Sequence, residues 1–306
     1  MSFFANIVGN FAYFFHARGD LTRAEACYRK AVSLGSMNAK TEGTYGVLLL
    51  KKGEFEQAVE QFNKSLKHKE SKGQLRSMVR MNRAMAYFRL GEVEKAVVAL
   101  EDIHKNFKSL RVYQTLGYVY TAAGMFDKAE PYNLEAVEYE PHDHVILDNT
   151  GQMYLEMGDY EKAKSFFERA YEERHVSDVC YHMGLIAEWE DDLPKALEYY
   201  HEALTKNMDA LNDVTPQKLR DRIASIEAEL GVPDVTAEEE LAEAAEDAAE
   251  DAGDEAAEEA AEFDEAEDVS EKLPDRPEEP AAVEDDAQYA TDEAEQADSK
   301  TTDKED

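Results

Sequence analysis

Cysteine is nearly missing from this 306-residue chain: Cys27 and Cys180 stand far apart, in no CxxC or metal-ligand spacing. That excludes a disulfide framework and a cysteine-built zinc site, and it suggests buried thiols in a reducing, cytoplasmic compartment. Also lacking are a glycine-rich phosphate loop, a nucleophile elbow, an HExxH pair and a convincing Ser, His and Asp constellation. Neither a cofactor nor enzyme activity is therefore expected. His142-Asp143-His144 supplies too few ligands by itself for a metal that needs about four, and reads as a solvated turn. The N-terminal uncharged stretch ends at His16 and Arg18, short of the ~20 apolar residues of a membrane span, and it has neither the basic start nor the cleavage region of a secretory signal.

Charge is present but divided. The whole chain carries −35 at pH 7, and residues 233–306 hold 32 Asp and Glu against 4 Lys and Arg. That segment has only Phe263 and Tyr289 as aromatics, too little apolar surface to offset the entropy of ordering, so it reads as a disordered acidic tail. The remainder is itself polarised. Residues 1–111 contain 19 bases and 11 acids, a net of +8, whereas residues 112–232 contain 10 bases and 25 acids, a net of −15. A surplus of eight with no Arg-aromatic strip argues against nucleic acid as a partner.

What the chain has in abundance is repetition. GDYEKAKSFFERAYE from Gly158 has near-copies starting at Gly19, Gly53, Gly91, Gly124 and Asp191, separated by 34, 38, 33, 34 and 33 residues in chain order. Five residues after each start stands an alanine: Ala24, Ala58, Ala96, Ala129, Ala163 and Ala196. Seven before each start is another small residue: Ala12, Gly46, Ala84, Gly117, Gly151 and Gly184. Each unit thus reads as two amphipathic helices and a short turn, with small residues allowing close approach and aromatics filling around them. One such hairpin cannot bury its apolar face alone, so several must stack. After the last unit, Thr215-Pro216 opens a helix with Leu219, Ile223, Ile226 and Leu230 on one face, ending at Gly231 and Pro233: a cap over residues 214–231.

The period near 34, with Gly117 and Tyr120 or Gly151 and Tyr154 before the turn and Ala58 and Phe62 or Ala163 and Phe167 after it, resembles the tetratricopeptide repeat. The resemblance covers residues 5–210 in six units (5–38, 39–76, 77–109, 110–143, 144–176 and 177–210), after an extension of residues 1–4. It implies an all-α, right-handed superhelical solenoid. Departures are the missing early Trp, Asn133 in an aromatic position, and Arg80 and Arg83 at apolar ones.

The resemblance further implies that the first helix of each unit lines a concave groove. Its floor would hold Asn6, Asn10, Tyr13 and His16; Lys40, Thr44, Val47, Leu50 and Lys51; and Met78, Met81, Asn82, Met85, Phe88 and Arg89. Arg111, Gln114, Thr115 and Tyr118 continue it, then Asp148, Asn149, Gln152, Tyr181, His182 and Trp189. Met78, Met81 and Met85 form either an adaptable binding strip or packing between units. The two-carboxylate clamp by which some relatives hold chaperone tails is absent, since Gly9, Tyr13, Thr44, Met78 and Asn82 occupy its places. The expected function is a scaffold or adaptor that binds a peptide segment of another protein, acidic in the sharper form of the idea. The alternative is a regulator whose solenoid changes pitch on binding. The tail is either a solubilising bristle or a competitor for the basic early groove. At the other end Ile7 and Phe14 have no preceding unit to cover them, which leaves end-to-end dimerisation or shallow membrane contact as an alternative to plain packing.

Overall fold

The computed structural model describes residues 3–231 except Ser36, Asp209 and Asn212; the acidic tail and Pro233 lie outside the described residues. Thirteen helices and no strand are found among them. Six hairpins follow in order: α1 (Phe3–His16) with α2 (Leu21–Leu34), α3 (Ala39–Lys51) with α4 (Phe55–Lys67), and α5 (Gly73–Arg89) with α6 (Val93–Asn106). Then come α7 (Leu110–Ala122) with α8 (Phe126–Tyr139), α9 (His144–Glu156) with α10 (Tyr160–Glu173), α11 (Ser177–Trp189) with α12 (Leu193–Leu204), and the single α13 (Pro216–Leu230).

Each turn is built the same way. In the second hairpin Gly53 sits at φ 77°, in the left-handed region, and the next amide, Glu54 N, reaches back to the Leu49 carbonyl at 2.9 Å. This satisfies carbonyls that a helix end leaves unpaired. The sixth hairpin keeps the geometry without the glycine: Asp191 takes φ 64°, and Asp192 N reaches the Ala187 carbonyl at 2.9 Å. Acidic side chains then cap several of the following helices, as where Asp20 accepts from Arg23 N at 3.0 Å and Asp159 from Lys162 N at 3.3 Å.

The small residues explain how the hairpins close. In the second, fourth, fifth and sixth hairpins the side chain four places after the repeated alanine lies on the glycine of the first helix. A Cβ added to Gly151 would stand 2.5 Å from the Phe167 ring, one on Gly46 2.5 Å from Phe62, and one on Gly184 2.3 Å from Tyr200. These rings are fully buried, as are all six alanines. In the fourth hairpin Asn133 replaces the ring, and its Oδ1 would meet a Gly117 Cβ at 2.2 Å. Its amide is satisfied by Thr121 Oγ1 at 3.2 Å, as a buried polar group requires. In the third hairpin the same two positions hold Ala84 and Leu100, both buried in one cluster, a larger residue opposite a smaller side chain.

The long 38-residue spacing has a simple cause. Helix α5 starts at Gly73 rather than near Ser77, and its four extra residues are about one turn. Arg80 and Arg83, at nominally apolar positions, carry their heads out to Asp102 on α6 (2.5 Å) and Asn63 on α4 (2.7 Å), so only their stems pack. At the C-terminal end α13 covers the sixth hairpin through Leu219, Ile223 and Ile226, and stops at Gly231 with φ 67°. Leu230, expected on the same face, is exposed.

Gly151→Ala is expected to destabilise the chain by about 1–2 kcal/mol in urea unfolding, overpacking outweighing the gain in helix propensity. Adding Phe167→Leu, which reproduces the third hairpin's pair, is expected to recover part of the loss. Asp191→Gly is expected to stabilise by roughly 1 kcal/mol in the same measurement, since it removes a side chain from the left-handed region.

Candidate functional site

Successive first helices touch along the whole stack, α1 to α3, α3 to α5, α5 to α7, α7 to α9 and α9 to α11. No two successive second helices make comparable contact among the described residues. The first helices are therefore the tighter, inner layer of the curve and the second helices the wider, outer one. The inner wall is the candidate site.

Its side chains divide into three sets. Some have become core. Met78 is buried in the cluster around Phe62, Leu48 and Tyr45, and Met81 in the one around Leu100, Leu116 and Val119. The two therefore fill space between hairpins. Thr44, Val47 and Leu50 are buried as well, for α3 shows no exposed residue from Thr41 to Leu50. A helix apolar or occluded on every side is enclosed by neighbours.

A second set forms polar joints. His182 Nδ1 lies 2.8 Å from Asp148 Oδ1, joining α11 to α9, and its ring stacks on Phe167 at 4.7 Å. Asn149 Nδ2 donates to the Gln114 carbonyl at 2.8 Å, and Gln114 Nε2 donates to Asp143 at 2.9 Å. Asp143 is thereby occupied twice, because it also caps α9 through Ile146 N at 2.8 Å. Glu42, buried on α3, accepts from Met37 N at 3.0 Å and pairs with His68 at 2.8 Å. Burial opposes charge on His182, but Asp148, with Asp178 and Asp213 further off, outweighs it and raises the imidazole pKa.

The third set remains part-exposed. Met85 packs on both neighbouring clusters, and Phe88 meets the Tyr118 ring edge-on at 5.8 Å. Arg89 lies over Tyr118, 5.7 Å from its centroid. Arg89 Nη1 donates to Asp213 Oδ1 at 3.0 Å, and the Tyr118 hydroxyl donates to the same oxygen at 2.9 Å. Burial, then the Asp213 charge, drives the Tyr118 pKa upward, so it stays a donor. The remaining expected residues are apart from this group: Lys40 lies 4.6 Å over the Tyr13 ring, Arg111 is exposed on α7, Asn82 is half-buried on α5, and Lys51 closes α3.

Asp213 belongs to the connection between α12 and α13, which sequence reasoning passed over. The signal was present: Met208, Leu211 and Val214 recur every third residue in a stretch with no proline before Pro216. At the N-terminal end Ile7 and Phe14 are exposed, and so, to a greater degree, are Phe3, Phe4 and Phe11. No helix is long and apolar enough to cross a membrane among the described residues. Cys180 is buried, which pushes its thiol up to about 12.

The raised His182 pKa means that the folded state holds the proton more tightly than the unfolded one. Its contribution to stability is full below the ordinary value of about 6.5 and is lost as pH rises through the raised value. Asp148→Asn is therefore expected to lower the melting temperature more at pH 6 than at pH 9; equal losses at both would mean that His182 is neutral throughout.

Comparison with curated proteins finds no match. Family models described as tetratricopeptide repeat match residues 5–34, 46–106, 110–143 and 146–174, together about half of the chain. Among solved structures, the chain is similar to a tetratricopeptide repeat protein from Parabacteroides merdae, at 17% identity and a TM-score of 0.62 over 72% of this chain and 84% of that one. It is similar to TTC0263, a TPR protein of Thermus thermophilus, at 20% identity and a TM-score of 0.53, covering 62% of this chain and 99% of that one. Pseudomonas aeruginosa pilF matches at 15% identity and a TM-score of 0.50, covering 72% and 97%. These identities speak to fold alone. With six hairpins of one design and family models spanning five of them, the chain belongs to the tetratricopeptide repeat family.

Proposed function

We propose that this protein is a scaffold or adaptor that holds a segment of another protein against the inner wall of α5 and α7, beside the end of α3, without performing a reaction of its own. The observation that carries the reading is the cluster of Met85, Phe88, Arg89 and Tyr118, in which a guanidinium and a phenol converge on one carboxylate oxygen beside apolar surface. A charge-assisted pair of donors next to a flexible thioether suits an acidic side chain flanked by an apolar one. The surplus of bases in residues 1–111 adds attraction at short range. The tail from 233 onward acts as a solubilising bristle, its net −28 keeping an exposed wall from self-association. The exposed apolar face of α1, including Ile7 and Phe14, supports contact with a second copy at that end. Sedimentation in which Phe14→Glu abolishes a concentration-dependent dimer is its check.

Acidic peptides with one or more apolar residues are expected to bind the full chain, to bind more weakly as salt rises, and to lose affinity in Arg89→Ala with no loss of folding. Fluorescence anisotropy at low and high salt reads this. Binding indifferent to both salt and Arg89→Ala would place the partner elsewhere, and a ligand-dependent change in solution radius would turn the scaffold into a sensor. Deleting residues 233–306 is expected to leave peptide affinity unchanged at low salt; a gain would make the tail a competitor.

A further inference from the structure

The connection between α12 and α13 does not take the short way. Met208 packs with the sixth hairpin's cluster of Tyr181, Tyr200 and Leu219, and Val214 is buried in that same cluster. Between them Leu211 packs against the first cluster, among residues of the opening three hairpins. The chain leaves the sixth hairpin, crosses the inner wall and returns within six residues.

Its contacts there are those of a bound peptide. Ala210 N donates to the Lys51 carbonyl at 2.9 Å, one of the carbonyls that the end of α3 leaves without a helical partner. The Ala210 methyl sits 3.3 Å from where a Cβ on Gly53 would be, so that glycine gives it room. Arg89 holds both the Leu211 carbonyl and the Asp213 carboxylate, and Tyr118 takes the same carboxylate oxygen. One backbone amide, one backbone carbonyl, one apolar side chain and, two places after it, one carboxylate are engaged together, and the backbone turns at Ala210 and Leu211 to present them. The fit is incomplete. Arg89 Nε is buried without a hydrogen-bond partner, although a carboxylate approaching side-on would use it together with an Nη. Asp213 itself is exposed, so the contact can open to solvent.

Resting on the reading of the inner wall as a peptide site, we propose that the α12–α13 connection occupies that site as a stand-in for the partner, and that the partner presents a turn with an apolar residue followed two places later by Asp or Glu. The partner competes with Leu211 and Asp213 for the same donors and the same cluster, and improves on them by engaging Arg89 Nε. The apparent affinity of an incoming segment is then reduced by the fraction of time the connection is seated.

The test uses the full chain and a labelled peptide with the sequence of residues 206–215. Asp213→Asn in the chain unseats the connection, and Leu211→Ala does so by a separate contact. Both lie outside the helices, and circular dichroism confirms folding. If the connection is seated nine-tenths of the time, the peptide binds either variant about tenfold more tightly than the unaltered chain. A peptide with Asn in place of its aspartate loses the gain, and so does adding Arg89→Ala to the opened chain. Equal affinity for opened and unaltered chains, or no binding to either, overturns the proposal. If other acidic peptides still bind in an Arg89-dependent way, only the stand-in fails; if no peptide binding depends on Arg89, the peptide-site reading fails with it.

Discussion

A ring carried by the second helix of a hairpin rests on a place where the first helix has almost no side chain, and the rest of the structure depends on that contact. Phe167 on Gly151, Phe62 on Gly46 and Tyr200 on Gly184 each fix how closely two helices lie and at what point along their length. Packed interiors do not deform continuously, so a contact set at one height in every hairpin repeats the same relation from unit to unit. The hairpins must then nest, because none can cover its own apolar face. Second helices meet the first helix of the next hairpin, α4 with α5, α6 with α7, α8 with α9 and α10 with α11, and the contacts between first helices close the inner side.

The curve that results has a consequence for charge. The inner wall gathers side chains from several hairpins, and those that cannot reach water have found partners across units, as Asp148 and His182 or Asn149 and the Gln114 carbonyl have. Such buried pairs add register more than net stability, since desolvation cancels much of their attraction. Toward the basic half of the chain the wall stays partly open, and there Arg89 and Tyr118 face a carboxylate from the far end of the stack. The acidic second half thus meets the basic first half within one chain, which is the arrangement that the division of charge along the sequence anticipates in general terms.

The repeat itself was legible because its parts are local. Left-handed glycines, capping aspartates and the alanine of the second helix act within a few residues, and their spacing survives in the chain as a period. The Gly73 start of α5 was not legible, for a one-turn extension adds no new pattern to an apolar stretch already helical. The candidate site was read only in outline. Projecting groove positions treats a helix as having an outer face, but α3 has none, being enclosed by its neighbours, and Met78 and Met81 fell into the core with it. Arg89 and Tyr118 could be placed on first helices from the period alone, yet what they hold comes from 122 and 95 residues away. No local rule relates those positions. Only the curvature of the stack does, and it accumulates over four hairpins.

Repeated seating of side chains on small residues curves the stack enough to bring the sixth hairpin's connection onto the second and third hairpins. A cysteine pair at Gly53 and Ala210, in a chain also carrying Cys27→Ala and Cys180→Ala, measures this directly, because disulfides need Cβ atoms about 4 Å apart. The expected result is a bond that forms within single chains under mild oxidation, independent of protein concentration and with helicity intact. A folded chain that forms no such bond, or forms it only between molecules, would contradict it.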